Sequence, residues 1–250
     1  MSEIHQLLKQ HFGYDAFRPL QEDIIQSVLA KKDTLAILPT GGGKSVCFQI
    51  PTIGQKGICL VVTPLIALMK NQVDNIRGFA QKSSLAHFLN SSLSKAELNQ
   101  VIEDMLSGET KLLYVAPETL KKEETIDLLK QVKISFVAVD EAHCISEWGH
   151  DFRPSYLRLS LLKELFPSTP TIALTATATK EVVIDIEKQL KLKKPVIFKE
   201  SHFRENLSLN VIYTEDIRAE LLDILHRLNE PGIVYVNSRK KTIDLSNFLN

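Results

Sequence analysis

Two short runs in this 250-residue chain hold residue types that together suit binding and hydrolysis of a nucleoside triphosphate. The first is Leu38-Pro39-Thr40-Gly41-Gly42-Gly43-Lys44-Ser45. Its glycines let the backbone take positive φ and turn N–H groups toward phosphate oxygens. A helix that follows aims its positive end at the same charge. Lys44 can reach the outer phosphates, and the Ser45 hydroxyl can ligate Mg²⁺. Leu38 stands where the phosphate-loop pattern has its first glycine.

In the second run, Phe136-Val137-Ala138-Val139 leads directly into Asp140-Glu141-Ala142-His143. Two acids at the end of an apolar strand are costly unless they serve a cation or a reaction. In a parallel sheet, that end faces the ligand crevice shared with the phosphate loop. Asp140 then holds Mg²⁺ directly or through water, and Glu141 orients and deprotonates the attacking water, or polarises it. Lys44, Asp140 and Glu141 are the catalytic candidates. His143 is open between a structural hydrogen-bonding role and one that couples this site to another.

The elements that must position these runs are legible from periodicity. Ile4, Leu7, Leu8 and Phe12 keep helical spacing, as do Leu20, Ile24, Val28 and Leu29 after Pro19, a residue suited to a first helical turn. Short apolar runs at 34–38, 58–63, 112–115, 136–139, 171–175 and 233–236 read as strands. Leu65 to Phe79 reads as a helix. Ser94 and Glu97 form a capping-box signature before Leu98, Val101, Ile102, Met105 and Leu106, with Gly108 as the stop. Strands alternating with helices predict an α/β fold, with a mostly parallel sheet and helices on both faces. The lysine-bearing stretch 188–199 is the candidate domain edge, its lysines read as a solvated face. Leu209, Val211 and Tyr213 then alternate like the first strand of a second α/β domain.

Composition bounds the rest. Lys+Arg and Asp+Glu are both 30, so bulk charge gives no support for nucleic-acid binding. Cys47, Cys59 and Cys144 show no metal-ligand spacing and, being odd in number, no disulfide framework. No apolar stretch has the length of a signal peptide or a membrane span. A soluble protein of a reducing cytosol is expected.

The order of motifs resembles the RecQ family of superfamily 2 helicases. Phe12-Gly13-Tyr14 through Phe17-Arg18-Pro19-Leu20-Gln21 is similar to its adenine-recognition motif. LPTGGGKSVCFQIP (38–51), VVTPLIALMKNQV (61–73), VAVDEAHCISEWGHDFRPSY (137–156), ALTATAT (173–179) and GIVYVNSR (232–239) follow in family order. The run after the DEAH box is the most distinctive.

The resemblance implies a RecA-like ATP-binding domain over 1–205 and the opening of a second over 206–250. It implies Tyr14, Arg18 and Gln21 on adenine, and Thr40, Gly41, Gly42, Gly43, Lys44 and Ser45 on the phosphates. Ser45 and Asp140 take Mg²⁺. It also implies an aromatic-rich loop from Cys144 to Tyr156 that senses single-stranded DNA. There Trp148, His150, Phe152 and Arg153 are of types that stack on bases or meet phosphate. Pro64, Lys70, Asn71, Ser238 and Arg239 match strand-contacting motifs. Thr175 and Thr177, with His143, match positions that couple nucleotide state to movement.

The implied activity is ATP-driven, 3′-to-5′ translocation on single-stranded and forked DNA in recombination and repair, in the bacterial cytoplasm at the nucleoid. The family's arginine finger, zinc-binding domain and winged helix lie beyond Asn250. No zinc and slow hydrolysis are therefore expected of this segment. His202 and Glu205 depart from the family's inter-domain pattern. An RNA-dependent DEAD/DEAH ATPase and a non-catalytic binding module remain the alternatives.

Overall fold

The structure is a computed structural model that describes residues 2–249 except 65, 81, 91, 150, 202, 204 and 205, with only the backbone described at 66–68, 79 and 80. His150 of the candidate DNA loop and the linker residues His202, Arg204 and Glu205 thus lie outside the described residues. The chain forms two compact units, Met1–His202 and Phe203–Asn250.

The first unit is built on seven strands: β1 (Thr34–Ile37), β2 (Ile58–Val62), β3 (Ala86–Leu89), β4 (Leu112–Val115), β5 (Ile134–Val139), β6 (Thr171–Thr175) and β7 (Val196–Lys199). They pair in the order β3-β4-β2-β5-β6-β1-β7, and every pairing is parallel. The helices are α1 (Glu3–Phe12), α2 (Gln21–Leu29), α3 (Val46–Ile53), α4 (Ile66–Ala80), α5 (Lys95–Leu106), α6 (Glu123–Lys130), α7 (Ser160–Leu165) and α8 (Lys180–Gln189).

Successive strand residues fall into two different clusters, because a strand's side chains alternate between faces. Leu35, Ile37, Leu60, Val62, Val137 and Val139 join residues of α5, α6, α7 and α8 in one cluster. Ala36, Cys59, Val61, Ala138 and Leu174 join α2, α3 and α4 in the other. The expected α/β layering, a parallel sheet covered on both faces, is the RecA-like fold observed.

Local signals at the helix ends hold with one shift. Ser94 and Glu97 form the capping box, with Ser94 Oγ accepting from the Glu97 N–H at 3.3 Å and Glu97 Oε2 from the Ser94 N–H at 2.8 Å. Pro19 lies outside α2, ahead of a left-handed Leu20 that precedes Gln21. There the turn is closed by the Gln21 side chain, whose Oε1 accepts the Arg18 N–H at 2.9 Å.

Two strands beyond those read from the sequence, β3 and β7, form the edges of the sheet. The lysine-bearing stretch 188–199 contains the end of α8 and the strand β7, which pairs with β1. A buried ion pair ties this end of the sheet together. Asp33 Oδ1 accepts from Lys163 Nζ at 2.7 Å and the Thr171 N–H at 2.8 Å, and Oδ2 accepts the Lys193 N–H at 2.7 Å. One carboxylate thus joins the approaches to β1, β6 and β7.

In the second unit, α9 (Ile217–Leu228) and α10 (Arg239–Leu249) are the helices, and Arg218 stacks on the Phe248 ring at 5.0 Å. The runs expected as strands at 209–213 and 233–236 form no ladder. Their side chains are exposed, Leu209 and Tyr213 each at 94%, and no neighbouring strand among the described residues meets their backbone groups. Alternation is a property of the chain, whereas a strand also needs a partner.

Replacing Asp33 by Ala leaves the Lys163 charge buried and two backbone donors unmatched. We expect a loss of roughly 3–5 kcal/mol, read as a lower urea midpoint for unfolding of the first unit.

Candidate functional site

The motifs converge because of strand order. β5, β6 and β1 are neighbours, and the DEAH residues, the Thr175–Thr177 segment and the phosphate loop leave their respective carboxyl ends. At one strand spacing per step, segments leaving β5 and β1 start about 10 Å apart, a distance that a triphosphate with its metal can span.

The phosphate loop has the expected backbone. Gly41 and Gly43 sit at φ 79° and 76°, and a Cβ on Gly42 would lie 2.9 Å from the Pro39 carbonyl. α3 begins at Val46, directly behind Ser45. The adenine-motif residues brace this loop. Buried Gln21 donates through Nε2 to the Gly42 and Gly43 carbonyls at 3.2 and 3.1 Å, and the Arg18 guanidinium donates to the Gly41 carbonyl. Tyr14, Arg18, Gln21, Gly41, Gly43, Lys44 and Ser45 line one cavity of about 370 Å³, with Tyr14 55% exposed at its rim. Thr40 is exposed at the tip of the loop.

Asp140 continues the β5 ladder, its N–H donating to the Val62 carbonyl at 2.8 Å. Its own carbonyl accepts the Tyr156 hydroxyl at 3.0 Å, and its Oδ1 accepts the Glu141 N–H at 3.0 Å. Burial, and then the neighbouring Glu141 charge, push the Asp140 carboxyl up to about 6. The Glu141 N–H, the Lys44 charge and the Thr63 side chain act in the opposite sense. Lys44 and Asp140 therefore feel each other electrostatically, while Lys44 Nζ donates to the Leu38 carbonyl at 3.4 Å.

Two side-chain paths leave this site. His143 Nδ1 lies 3.3 Å from Glu141 Oε2 and 2.9 Å from Thr175 Oγ1, and Thr175 Oγ1 in turn donates to the Thr177 carbonyl at 3.0 Å. The coupling candidates His143, Thr175 and Thr177 are thus brought together. In the second path, Cys144 Sγ lies 3.8 Å from His143 Nε2 and 3.7 Å from Asp151 Oδ2. Asp151 then binds Arg153 at 2.9 and 3.1 Å, and Arg153 Nη1 donates to the Pro64 carbonyl at 3.2 Å. Burial raises the Cys144 thiol to about 12, so it is a neutral member of this path.

Of the nucleic-acid candidates, Trp148 is 75% exposed, Phe152 and Arg153 are half-buried, and Lys70 and Asn71 are exposed on the first turns of α4. Ser238 and Arg239 lie in the second unit, where Ser238 Oγ accepts the Lys241 N–H at 3.3 Å at the start of α10. Sequence reasoning did not single out Tyr156 or Asp151. Both lie inside the distinctive run, but a hydroxyl aimed at a backbone carbonyl and an acid that holds an arginine leave no spacing pattern.

Comparison with known proteins bears on this arrangement. A profile described as DEAD/DEAH box helicase matches residues 18–186, most of the first unit. The chain belongs to the DEAD/DEAH box helicase family. Within it, this chain is 44% identical over 231 residues to the ATP-dependent DNA helicase RecQ of Pasteurella multocida, covering 92% of this chain and 36% of that protein. It is 42% identical over 239 residues to RecQ of Bacillus subtilis, covering 94% and 40% respectively. The chain spans about half or less of the length of the curated relatives it matches first. Among solved structures, the DUF1998 helicase MrfA aligns with a TM-score of 0.72 at 16% identity, over all of this chain and 40% of that one, a likeness of fold.

The raised carboxyl makes a signed prediction for the metal-free chain. Between about pH 4 and 6 the folded state holds a proton at Asp140 that the unfolded chain has released, so stability falls as pH rises through that window. Above it, the buried charge costs on the order of 3 kcal/mol. Asp140→Asn should raise the unfolding midpoint at pH 7.5, and the gain should vanish by pH 4. A gain independent of pH would show that the Asp140 charge carries no such cost.

Proposed function

We propose that this chain is the ATP-hydrolysing part of a RecQ-type DNA helicase, in which nucleotide turnover on the first unit drives movement along a DNA strand. The observation that carries this reading is the continuous polar path from Glu141 through His143, Cys144, Asp151 and Arg153 to Pro64. It joins Glu141, read as the residue that acts on water, to the loop that exposes Trp148. The RecQ names of its relatives favour DNA over RNA.

In this reading Tyr14 stacks on the adenine, and Arg18 and Gln21 address its edge while bracing the loop behind it. The amides of Gly41 to Ser45 and the Lys44 ammonium hold the β- and γ-phosphates. The residues fit a divalent cation. A carboxyl forced up by burial and a neighbouring acid lacks positive charge, and Ser45 and Asp140 are the groups that would hold Mg²⁺. When bound, the ion neutralises phosphate charge. Glu141 orients the attacking water and takes its proton, and His143 keeps that carboxylate in register with Thr175. Strand contacts come from Trp148, Phe152, Arg153 and His150 of the loop, from Pro64, Lys70 and Asn71, and from Ser238 and Arg239 of the second unit.

The substrates are single-stranded and forked DNA, and the second unit is read as the opening of a second RecA-like domain. Among the described residues no helix is long and apolar enough to cross a membrane. A cytoplasmic, nucleoid-associated motor is the corresponding setting.

Two substitutions test the catalytic assignment. Lys44→Ala and Glu141→Gln should each lower DNA-stimulated ATP turnover by about 10²-fold or more. Turnover unchanged in both would end it. Stimulation of the wild-type protein by an RNA strand as strong as that by DNA of equal length would favour an RNA-dependent ATPase.

A further inference from the structure

The loop that carries Trp148 is mounted on a residue outside every motif. Ser146, which opens the turn, is fully buried. Its hydroxyl donates to the Asp185 carboxylate at 2.6 Å, and the same oxygen accepts the Trp148 backbone N–H at 3.2 Å. The Ser146 carbonyl accepts the Gly149 N–H at 3.0 Å. Gly149 has no room for a side chain, since a Cβ there would lie 2.7 Å from the His143 carbonyl and 3.1 Å from that of Ser146. The turn 146–149 is therefore held from three sides, yet the indole it presents remains mostly in solvent.

Asp185 sits half-buried in the middle of α8, between Val182 and Ile186, which anchor that helix in the core. α8 starts a few residues after Thr175 and Thr177, with Thr179 capping it by accepting the Val182 N–H. One segment thus meets the DEAH region twice. The Thr175 hydroxyl touches His143 at the start of the 3₁₀ turn 142–145, and Asp185 holds Ser146 just past its end. A carboxylate on a buried hydroxyl is a strong, geometrically selective bond. The Ser146 oxygen that meets this carboxylate also holds the amide of Trp148, the only tryptophan in the chain.

We propose that Asp185 is a positioning residue: through Ser146 it fixes the turn that presents Trp148, and so sets how strongly single-stranded DNA stimulates ATP hydrolysis. The proposal rests on reading residues 144–156 as the DNA-facing loop. Without the carboxylate, Ser146 loses its charged acceptor and the Trp148 amide loses its fixed partner. The indole then samples more orientations, and DNA must order it on binding.

Trp148 fluorescence reports this directly, and DNA-stimulated ATPase reports its consequence. Asp185→Ala and Ser146→Ala should lower Trp148 anisotropy. Both should raise the concentration of a single-stranded oligonucleotide needed for half-maximal stimulation by roughly tenfold or more, the scale of a lost charge-assisted bond. Asp185→Asn keeps an acceptor oxygen and should stay within about threefold of wild type on the same scale. The KM for ATP should be the same in all three.

Wild-type anisotropy and wild-type DNA response in Asp185→Ala, alongside lost stimulation in Trp148→Ala, would overturn the proposal and leave the loop reading standing. Full stimulation in Trp148→Ala would remove the loop reading, and this proposal with it. Should Asp185→Ala not fold, Ser146→Ala against Asp185→Asn makes the same comparison.

Discussion

A carboxylate removed from water at the end of a central strand keeps its charge at a cost unless something positive meets it, and Asp140 is such a group. Its neighbours are a second acid, Glu141, one backbone donor, and the Lys44 charge from the phosphate loop. Left to themselves, these surroundings push the carboxyl up to about 6. The balance reverses when a cation is placed among them, because a charge in a low-dielectric crevice interacts far more strongly than one in water. In the proposed reading, the cost of burying Asp140 and the capacity to hold a metal-bound triphosphate are two sides of one constraint. The sheet order sets β5, β6 and β1 side by side and so brings Asp140 toward the phosphate loop.

The remaining site chemistry radiates from that point. Gln21 and Arg18 fix the phosphate loop from behind through its carbonyls, so its amides stay turned toward the ligand side. Tyr156 fixes the Asp140 backbone from the opposite direction. His143 stands between Glu141 and Thr175, and its other ring nitrogen faces Cys144 and the path to Asp151 and Arg153. A small movement of Glu141 on nucleotide turnover would thus be felt at two strand ends and at the exposed loop. A tightly packed interior passes such shifts on rather than absorbing them.

How much of this was legible depended on the physics of each residue's surroundings. The five strands read within the first unit are central ones, buried on both faces, and their near-continuous apolar runs follow from that burial. The two strands that escaped notice are the edges. β7 alternates Val196 and Phe198 with Ile197 and the edge lysine Lys199, and β3 contains His87. That histidine is buried between Arg77 at 2.8 Å and Asp104 at 2.7 Å, a polar triad that disguises a core position as a loop. Charged edges are common, because they discourage pairing with other chains. The second unit failed for the converse reason: alternation at 209–213 and 233–236 promised strands, but no partner edge receives them among the described residues.

Within the site, residues that touch a ligand's expected position were readable, since glycine runs and paired acids have few other uses. Residues that hold those residues were not. Asp33, Tyr156, Asp151 and Asp185 act through contacts between segments far apart in the chain, and only the fold brings their partners together.

A structure of the protein with a non-hydrolysable ATP analogue and Mg²⁺ tests the central claim most directly. The account requires the β- and γ-phosphates on the amides of residues 41–45, with the ion held between Ser45 and Asp140 and Glu141 facing the γ-phosphate. Phosphates seated on the loop while both acids open into a different cleft would contradict it.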